Sequence, residues 1–281
     1  MADDLKVAEI PDAVLDEITD RLMNSTVVLN RVTGEGPDLL PEPIGTGTCV
    51  SIQNRTCILT AGHVWDKVRK GGTTMFALSA STFAGSVPTK KIEAVSPRQI
   101  WDGKESKEGP DLALLEIPDP YASSIAAKKV LVNLARHKAR AGKELRQTRQ
   151  RAWAVVGMVG SLSGDLQRDY SARRVDVRIE VRAFVGGGVQ RPAAQDGYDY
   201  IEIIADTSLP GVPKCFGGCS GGGLWELGAM RDEAGVITWD QDPQFWGVAF
   251  WAEKISPEQA RIRCHGPKSV FEKAWSEWKL P

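Results

Sequence analysis

Histidine is scarce in this chain, with three (His63, His137 and His265) among 281 residues. Any chemistry that needs an imidazole must use one of those positions. Cysteine is sparse as well. Cys49, Cys57, Cys215, Cys219 and Cys264 are odd in number and include no Cys-x-x-Cys pair, which excludes a disulfide framework and predicts reduced thiols. No apolar run approaches the roughly 18 residues a helix needs to cross a bilayer, so no membrane partner is expected. The start, MADDLKVAEI, is acidic where a secretory leader would carry a basic region and an apolar core, and the expected location is the cytoplasm. Charge of one sign is missing too: 35 Lys and Arg balance 36 Asp and Glu, so net charge points to no nucleic acid or other charged partner. There is no internal repeat.

What the chain has is an ordinary apolar fraction, 42%, with 28 glycines and 16 prolines. That composition suits a turn-rich, all-β protein long enough for one large domain or two small ones. Short runs of β-branched and apolar residues fall into two groups. The first comprises TVVLNRV, the hairpin GTGTCVSI/TCILTAGHVW turning at Gln53-Asn54-Arg55, then FALSASTF, KKIEAV and DLALLEI. The second comprises AWAVVGMVG, RRVDVRIEVRAFV, YDYIEII, GGLWEL, GVITW and FWGVAFWA. GEGPDLLPEP reads as a loop. Two such groups predict two packed β-barrels.

The flanks differ in character. Residues 11–23 predict a helix with Val14, Leu15, Ile18, Leu22 and Met23 on one apolar face. Residues 122–151 predict a helical connector, with nine Lys or Arg against one acid, Glu144, from Lys128 to Arg151. The connector reads as a solvated element over the barrel junction, because the aromatic residues that stack on nucleic acid are missing. The tail predicts a final helix whose face is Val270, Phe271, Ala274, Trp275 and Trp278. The expected division is therefore an N-terminal arm at 1–24, a first barrel at 25–121, the connector at 122–151, a second barrel at 152–255 and a C-terminal helix at 256–281.

Three signals carry chemistry. His63 ends the apolar run Cys57-Ile58-Leu59-Thr60-Ala61-Gly62, where a rigid strand could present an imidazole at a cleft. Asp111 heads the apolar strand Leu112-Ala113-Leu114-Leu115, and an acid there is costly to bury unless it is hydrogen-bonded; an imidazole N–H would serve. Ser220 lies in Gly217-Gly218-Cys219-Ser220-Gly221-Gly222-Gly223, a turn that gives the backbone unusual freedom. Its N–H and that of Gly218 could stabilise an oxyanion. The turn lacks the Lys-Ser/Thr ending of a nucleotide-binding loop.

TAGH, DLALL and GCSGG, in that order, resemble the trypsin-like serine peptidases, including the bacterial HtrA- and V8-type branches. The gaps are 48 residues from His63 to Asp111 and 109 from Asp111 to Ser220. The resemblance spans about residues 25–255. It implies a chymotrypsin fold of two six-stranded antiparallel barrels and a serine endopeptidase without a cofactor. Ser220 would be the nucleophile, His63 the general base, Asp111 its orienting carboxylate, and Gly218 and Ser220 the oxyanion donors. Segment 250–252 (Phe250, Trp251, Ala252) would align a peptide substrate by strand addition. Lys214, with Cys215, Phe216 and Gly217, would line the primary pocket, where a lysine disfavours basic side chains and suits an acidic or polar one. Phe250 and Ala252 would narrow that pocket.

The chain departs from the digestive members at Cys219, which stands where they have the aspartate that pairs with a freed N-terminus. Control by an activating protein partner, by assembly or by disorder of the glycine turn is therefore expected. Short members without a PDZ domain resemble bacterial effector proteases, some linked to stress or phage defence. Two rival chemistries attach to the cysteines. Cys219 could itself be the nucleophile, although Gly-x-Ser-Gly-Gly frames Ser220. Cys215, Cys219, Cys264 and His265 could be drawn as a zinc site, although their spacing is not that of known ligand knots. The alternative function is a catalytically silent fold that binds protein or nucleic acid.

Overall fold

A computed structural model describes residues 10, 12–34, 40–70, 74–77, 89–92, 95–101, 107–119, 121–140, 150–163, 166–169, 174–177, 179–186, 189–192, 194–209, 212–231, 233, 235, 237–239 and 242–277. The protein is mostly β, built on two largely antiparallel sheets. The first contains β1 (Thr26–Thr33), β2 (Leu40–Ile52), β3 (Arg55–Thr60), β4 (Thr74–Ala77), β5 (Thr89–Ile92), β6 (Val95–Trp101), β7 (Asp111–Glu116) and β8 (Val132–Asn133). Its order is β5-β4-β1-β2-β3-β7-β6, with β8 parallel to β2. The second contains β9 (Gln150–Met158), β12 (Val181–Gly186), β13 (Val189–Gln190), β14 (Tyr200–Asp206), β15 (Gly223–Arg231), β16 (Ile237–Trp239), β17 (Gln244–Ser256) and β18 (Gln259–His265). Its order is β12-β9-β15-β17-β18-β14-β13, with β16 on β15. Strands β10 (Leu166–Asp169) and β11 (Arg174–Val177) pair separately.

The strands read as nearly continuous apolar runs because both faces of each sheet are covered. Along β7, Leu112 and Leu114 enter a core shared with the second sheet, whereas Ala113 and Leu115 enter one lined mostly by the first half of the chain and closed by Tyr198, Tyr200 and Phe250. Strand β9 divides in the same way: Ala152, Ala154 and Val156 face the shared core, and Trp153 and Val155 face the second sheet's own. Period-2 alternation thus survives, but as a choice between two interiors.

Helix α1 (Asp12–Met23) buries Ile18, Leu22 and Met23 in the shared core, with Val14 and Leu15 packed against it. Pro11 lies outside the described residues. The hairpin between β2 and β3 turns on Gln53 and Asn54 alone, both at positive φ (48° and 65°), and Arg55 is already strand. A two-residue turn with both central residues left-handed matches the twist of the paired strands.

Several expectations are corrected. Leu40–Pro43 belongs to β2 and pairs with β1, since Pro41 lies opposite Val32 and Pro43 opposite Asn30. RRVDVRIEVRAFV is not one strand, because β11 ends at Val177 and β12 begins at Val181. The run expected to extend through His63 to Trp65 stops at Thr60, and α2 (Gly62–Arg69) follows. Val64, Trp65 and Val68 are strand-prone types, yet here they form one buried helical face. Tertiary burial outweighs propensity at such positions. The connector holds α3 (Tyr121–Ala126), β8 and α4 (Leu134–Arg140), and its residues 141–149 lie outside the described set. Its His137 is buried, with Nδ1 accepting the Phe245 N–H at 3.0 Å. Burial pushes that imidazole down to about 4. Arg136 and Arg140 both donate to Asp242, so part of the basic excess finds its acid within the chain.

The C-terminal helix does not occupy 256–281. Residues Gln259–His265 form β18 between β14 and β17, and the helical turn runs from Lys268 to Glu277. Ala260, Ile262 and Cys264 are its inward residues. Val270, Phe271 and Ala274 are buried as the expected face requires, and Trp278 lies outside the described residues.

Candidate active site

Strands β3 and β7 are neighbours in register, Thr60 opposite Ala113. The residue that starts β7 and the helix that follows β3 therefore meet at one end of the first sheet. Asp111 is that first residue and His63 opens α2. The Asp111 carboxylate accepts the His63 backbone N–H on Oδ1 at 2.8 Å and lies 2.5 Å from ring Nδ1 through Oδ2. An ionised carboxylate only accepts, so Nδ1 carries the proton and the lone pair of the neutral ring is on Nε2. Asp111 is 1% exposed, and these charge-assisted bonds offset the cost of burying it.

Ser220 comes from the second half of the chain. Its turn is fastened to the first sheet by Thr46, whose N–H donates to the Ser220 carbonyl at 2.9 Å and whose hydroxyl donates to the Gly218 carbonyl at 2.7 Å. The same hydroxyl accepts the Met158 N–H at 2.8 Å, and the Thr46 carbonyl accepts the Thr60 hydroxyl at 2.6 Å. Thr46 was not singled out by sequence; only its place in Gly45-Thr46-Gly47 signalled a strand of close approaches. Gly221, at φ 90°, completes the junction, for a Cβ there would lie 1.8 Å from the Thr46 carbonyl oxygen.

Two peptide groups in the turn have fixed directions. The Gly217 carbonyl accepts the Gly160 N–H at 2.7 Å, and the Cys219 carbonyl accepts the Gly222 N–H at 2.9 Å. In a trans peptide the N–H points opposite to the C=O. The N–H groups of Gly218 and Ser220 are thereby turned away from these partners, and neither has an acceptor among the described residues. The Ser220 hydroxyl donates to the Phe250 carbonyl at 3.3 Å rather than to His63.

His63, Gly218 and Ser220 open onto one cleft of about 530 Å³. Lys214, Cys215, Phe216, Gly217, Phe250, Trp251 and Ala252 all lie along it, as the sequence expectation grouped them. Two side chains depart from that expectation. Phe250 does not narrow the cleft, because its ring is fully buried and stacks on His265 at 4.4 Å. Phe216 is buried against Phe184, 4.6 Å between ring centroids. Lys214 directs its ammonium to the Thr207 carbonyl.

The cysteine alternatives fare differently. Cys219 is 1% exposed with its thiol on the Met158 carbonyl at 3.3 Å, and burial pushes that thiol far up from its ordinary value. A thiol so shielded is a poor source of thiolate. Cys215 is exposed in the cleft. Among the described residues no three metal-ligating side chains gather round one point, so the zinc set drawn from Cys215, Cys219, Cys264 and His265 does not form.

His265, which the sequence offered only as a zinc ligand, stands instead behind Asp111. It ends β18, is fully buried, and its Nε2 accepts the backbone N–H of Asp111 at 3.0 Å. The available signal was the alternation of Ala260, Ile262 and Cys264, which marks a strand leading to His265.

No protein-family model matches this chain, and no curated protein matches it.

Proposed function

We propose that the protein is a serine endopeptidase of the trypsin-like type, cleaving protein or peptide substrates through an acyl-enzyme on Ser220. Each sheet then corresponds to one six-stranded barrel with additional short strands. The observation that carries the reading is the Asp111–His63 pair, bonded at both 2.8 and 2.5 Å, with His63 on the same cleft as Ser220 and two unengaged N–H groups. Ser220 Oγ would form a bond to the scissile carbonyl carbon as its proton passes to His63 Nε2. The Gly218 and Ser220 N–H groups would hold the oxygen that becomes negative, and His63 would return the proton to the departing amine. Strand β17 at Phe250–Ala252 would pair with the substrate backbone.

A fluorophosphonate probe tests this. It is expected to label the wild-type chain and not Ser220→Ala, whereas Cys219→Ala keeps its labelling. Absence of labelling, in cell extract as well as in buffer, would overturn the reading. The second reading, a silent binding module, is favoured by one observation, the Ser220 hydroxyl resting on the Phe250 carbonyl instead of His63. Catalytic bonds of this kind often tighten only around substrate, and an activating partner would act by releasing that hydroxyl.

Cleft charge suggests the substrate. Lys67, Lys214 and Lys254 line it, and the acid beside them, Glu253, is paired to Arg261 at 3.0 Å. Exposed cations contribute roughly 0.2–1 kcal/mol each. Replacing all three with glutamine is expected to lower kcat/KM about tenfold for a peptide with acidic residues flanking the scissile bond. A neutral peptide should be unaffected, and the difference should shrink in high salt. Equal losses for both peptides would count against an acidic preference.

A further inference from the structure

We propose that His265 is a positioning residue for the triad, holding the backbone of Asp111 so that its carboxylate meets His63. This rests on the peptidase reading above.

The connection is direct. His265 Nε2 accepts the Asp111 N–H at 3.0 Å, and the carboxylate of that residue grips His63 at both its backbone and its ring. A face of the imidazole stacks on Phe250, 4.4 Å between centroids at 28°, and the Phe250 carbonyl holds the Ser220 hydroxyl. One ring therefore touches both the acid arm and the strand against which the serine rests. The turn before Asp111 is fitted to the same ring. The Tyr200 hydroxyl donates to the Glu108 carbonyl at 2.8 Å, and Gly109, at φ 59°, has room for a Cβ only 3.3 Å from His265 Cε1.

Histidine gains little stability here over an apolar ring, since it satisfies one buried group, the Asp111 N–H, and leaves another without a partner. With Nε2 accepting, the neutral ring carries its proton on Nδ1. That buried atom has no partner among the described residues, which is destabilising. A phenylalanine would stack on Phe250 without that unpaired atom. What phenylalanine could not do is accept the Asp111 N–H. Burial, with the Arg263 charge adding to it, pushes the imidazole down to about 3, so the ring stays neutral and the acceptor stays available.

The test compares His265→Phe, which keeps an aromatic ring and loses the acceptor, with His265→Gln, which loses the ring and offers an amide oxygen. His265→Leu stands in if the phenylalanine variant does not fold. Rates are taken per active site, titrated with the fluorophosphonate. Without the acceptor, kcat is expected to fall about 10–100-fold with KM nearly unchanged, the size of effect a misplaced catalytic group produces. His265→Gln should recover most of the loss. A second readout needs no turnover: the far-downfield proton resonance of His63 Nδ1–H against Asp111 should shift or vanish in His265→Phe and persist in His265→Gln. An unchanged resonance and unchanged kcat in His265→Phe, or a glutamine variant as impaired as the others, would overturn the proposal. If the wild type takes no probe, the peptidase reading fails, and the resonance still decides whether His265 holds Asp111.

Discussion

Asp111→Asn is expected to lower kcat by about 10⁴-fold while leaving the thermal midpoint and KM close to those of the wild type. The reason lies in what each carboxylate oxygen does. Oδ1 accepts the His63 backbone N–H and Oδ2 faces ring Nδ1. An amide of the same shape has one oxygen and one NH2 group. Keeping the oxygen on the backbone N–H turns the NH2 towards Nδ1, which must then accept. The ring proton moves to Nε2, the atom that should take the proton from Ser220. The reverse orientation sets the NH2 against the His63 N–H and leaves a buried donor unpaired. Steady-state kinetics on a cleaved peptide, with melting curves of both proteins, checks this. A loss under tenfold would mean that Asp111 does not set the His63 tautomer.

Gly221→Ala should be the most damaging small substitution in the turn, and Gly235→Ala separates its causes. Both glycines have positive φ, 90° and 84°. At Gly235 an added Cβ meets nothing within 4 Å, so only backbone strain remains, about 1 kcal/mol. At Gly221 the Cβ would fall 1.8 Å from the Thr46 carbonyl oxygen and 2.2 Å from the Thr60 hydroxyl. Neither can withdraw freely, because they are bonded to each other at 2.6 Å. The turn must move instead, adding at least ~2 kcal/mol of overpacking to the strain. It would also carry the Ser220 N–H away from its place, so probe labelling should fall to the level of Ser220→Ala. Denaturant midpoints and labelling rates on the two variants make the comparison. Equal destabilisation of both would show that the Thr46 contact carries no weight.

These expectations were unequally legible. His63, Asp111 and Ser220 stand out in the sequence because each is a reactive side chain at the border of an apolar run or within a glycine turn. Thr46 does not stand out, although four hydrogen bonds converge on it. A threonine in a strand is an ordinary residue, and its partners at Gly218 and Ser220 lie 172 and 174 residues away along the chain. His265 was hidden by the assignment of a helix to 256–281. Its strand alternates Ala260, Ile262 and Cys264 between charged residues, a weak signal so close to a helical tail. The short helix at His63 was hidden differently, since Val64, Trp65 and Val68 are strand-formers whose helical spacing matters only when a core awaits them.

The chain's composition and patterning by themselves determined a mostly β protein in two groups of strands, an amphipathic helix ahead of them, and the order of three reactive residues. These follow from local properties: which residues prefer extended backbone, and where apolar runs break. The tertiary structure decided what local properties do not contain. It made β3 and β7 neighbours, which brings His63 within 2.5 Å of Asp111. It turned the Gly218 and Ser220 N–H groups from other partners by engaging their carbonyl neighbours, and it set a neutral, buried His265 behind the acid. Each of these depends on long-range pairing and on burial, and so on the whole chain at once.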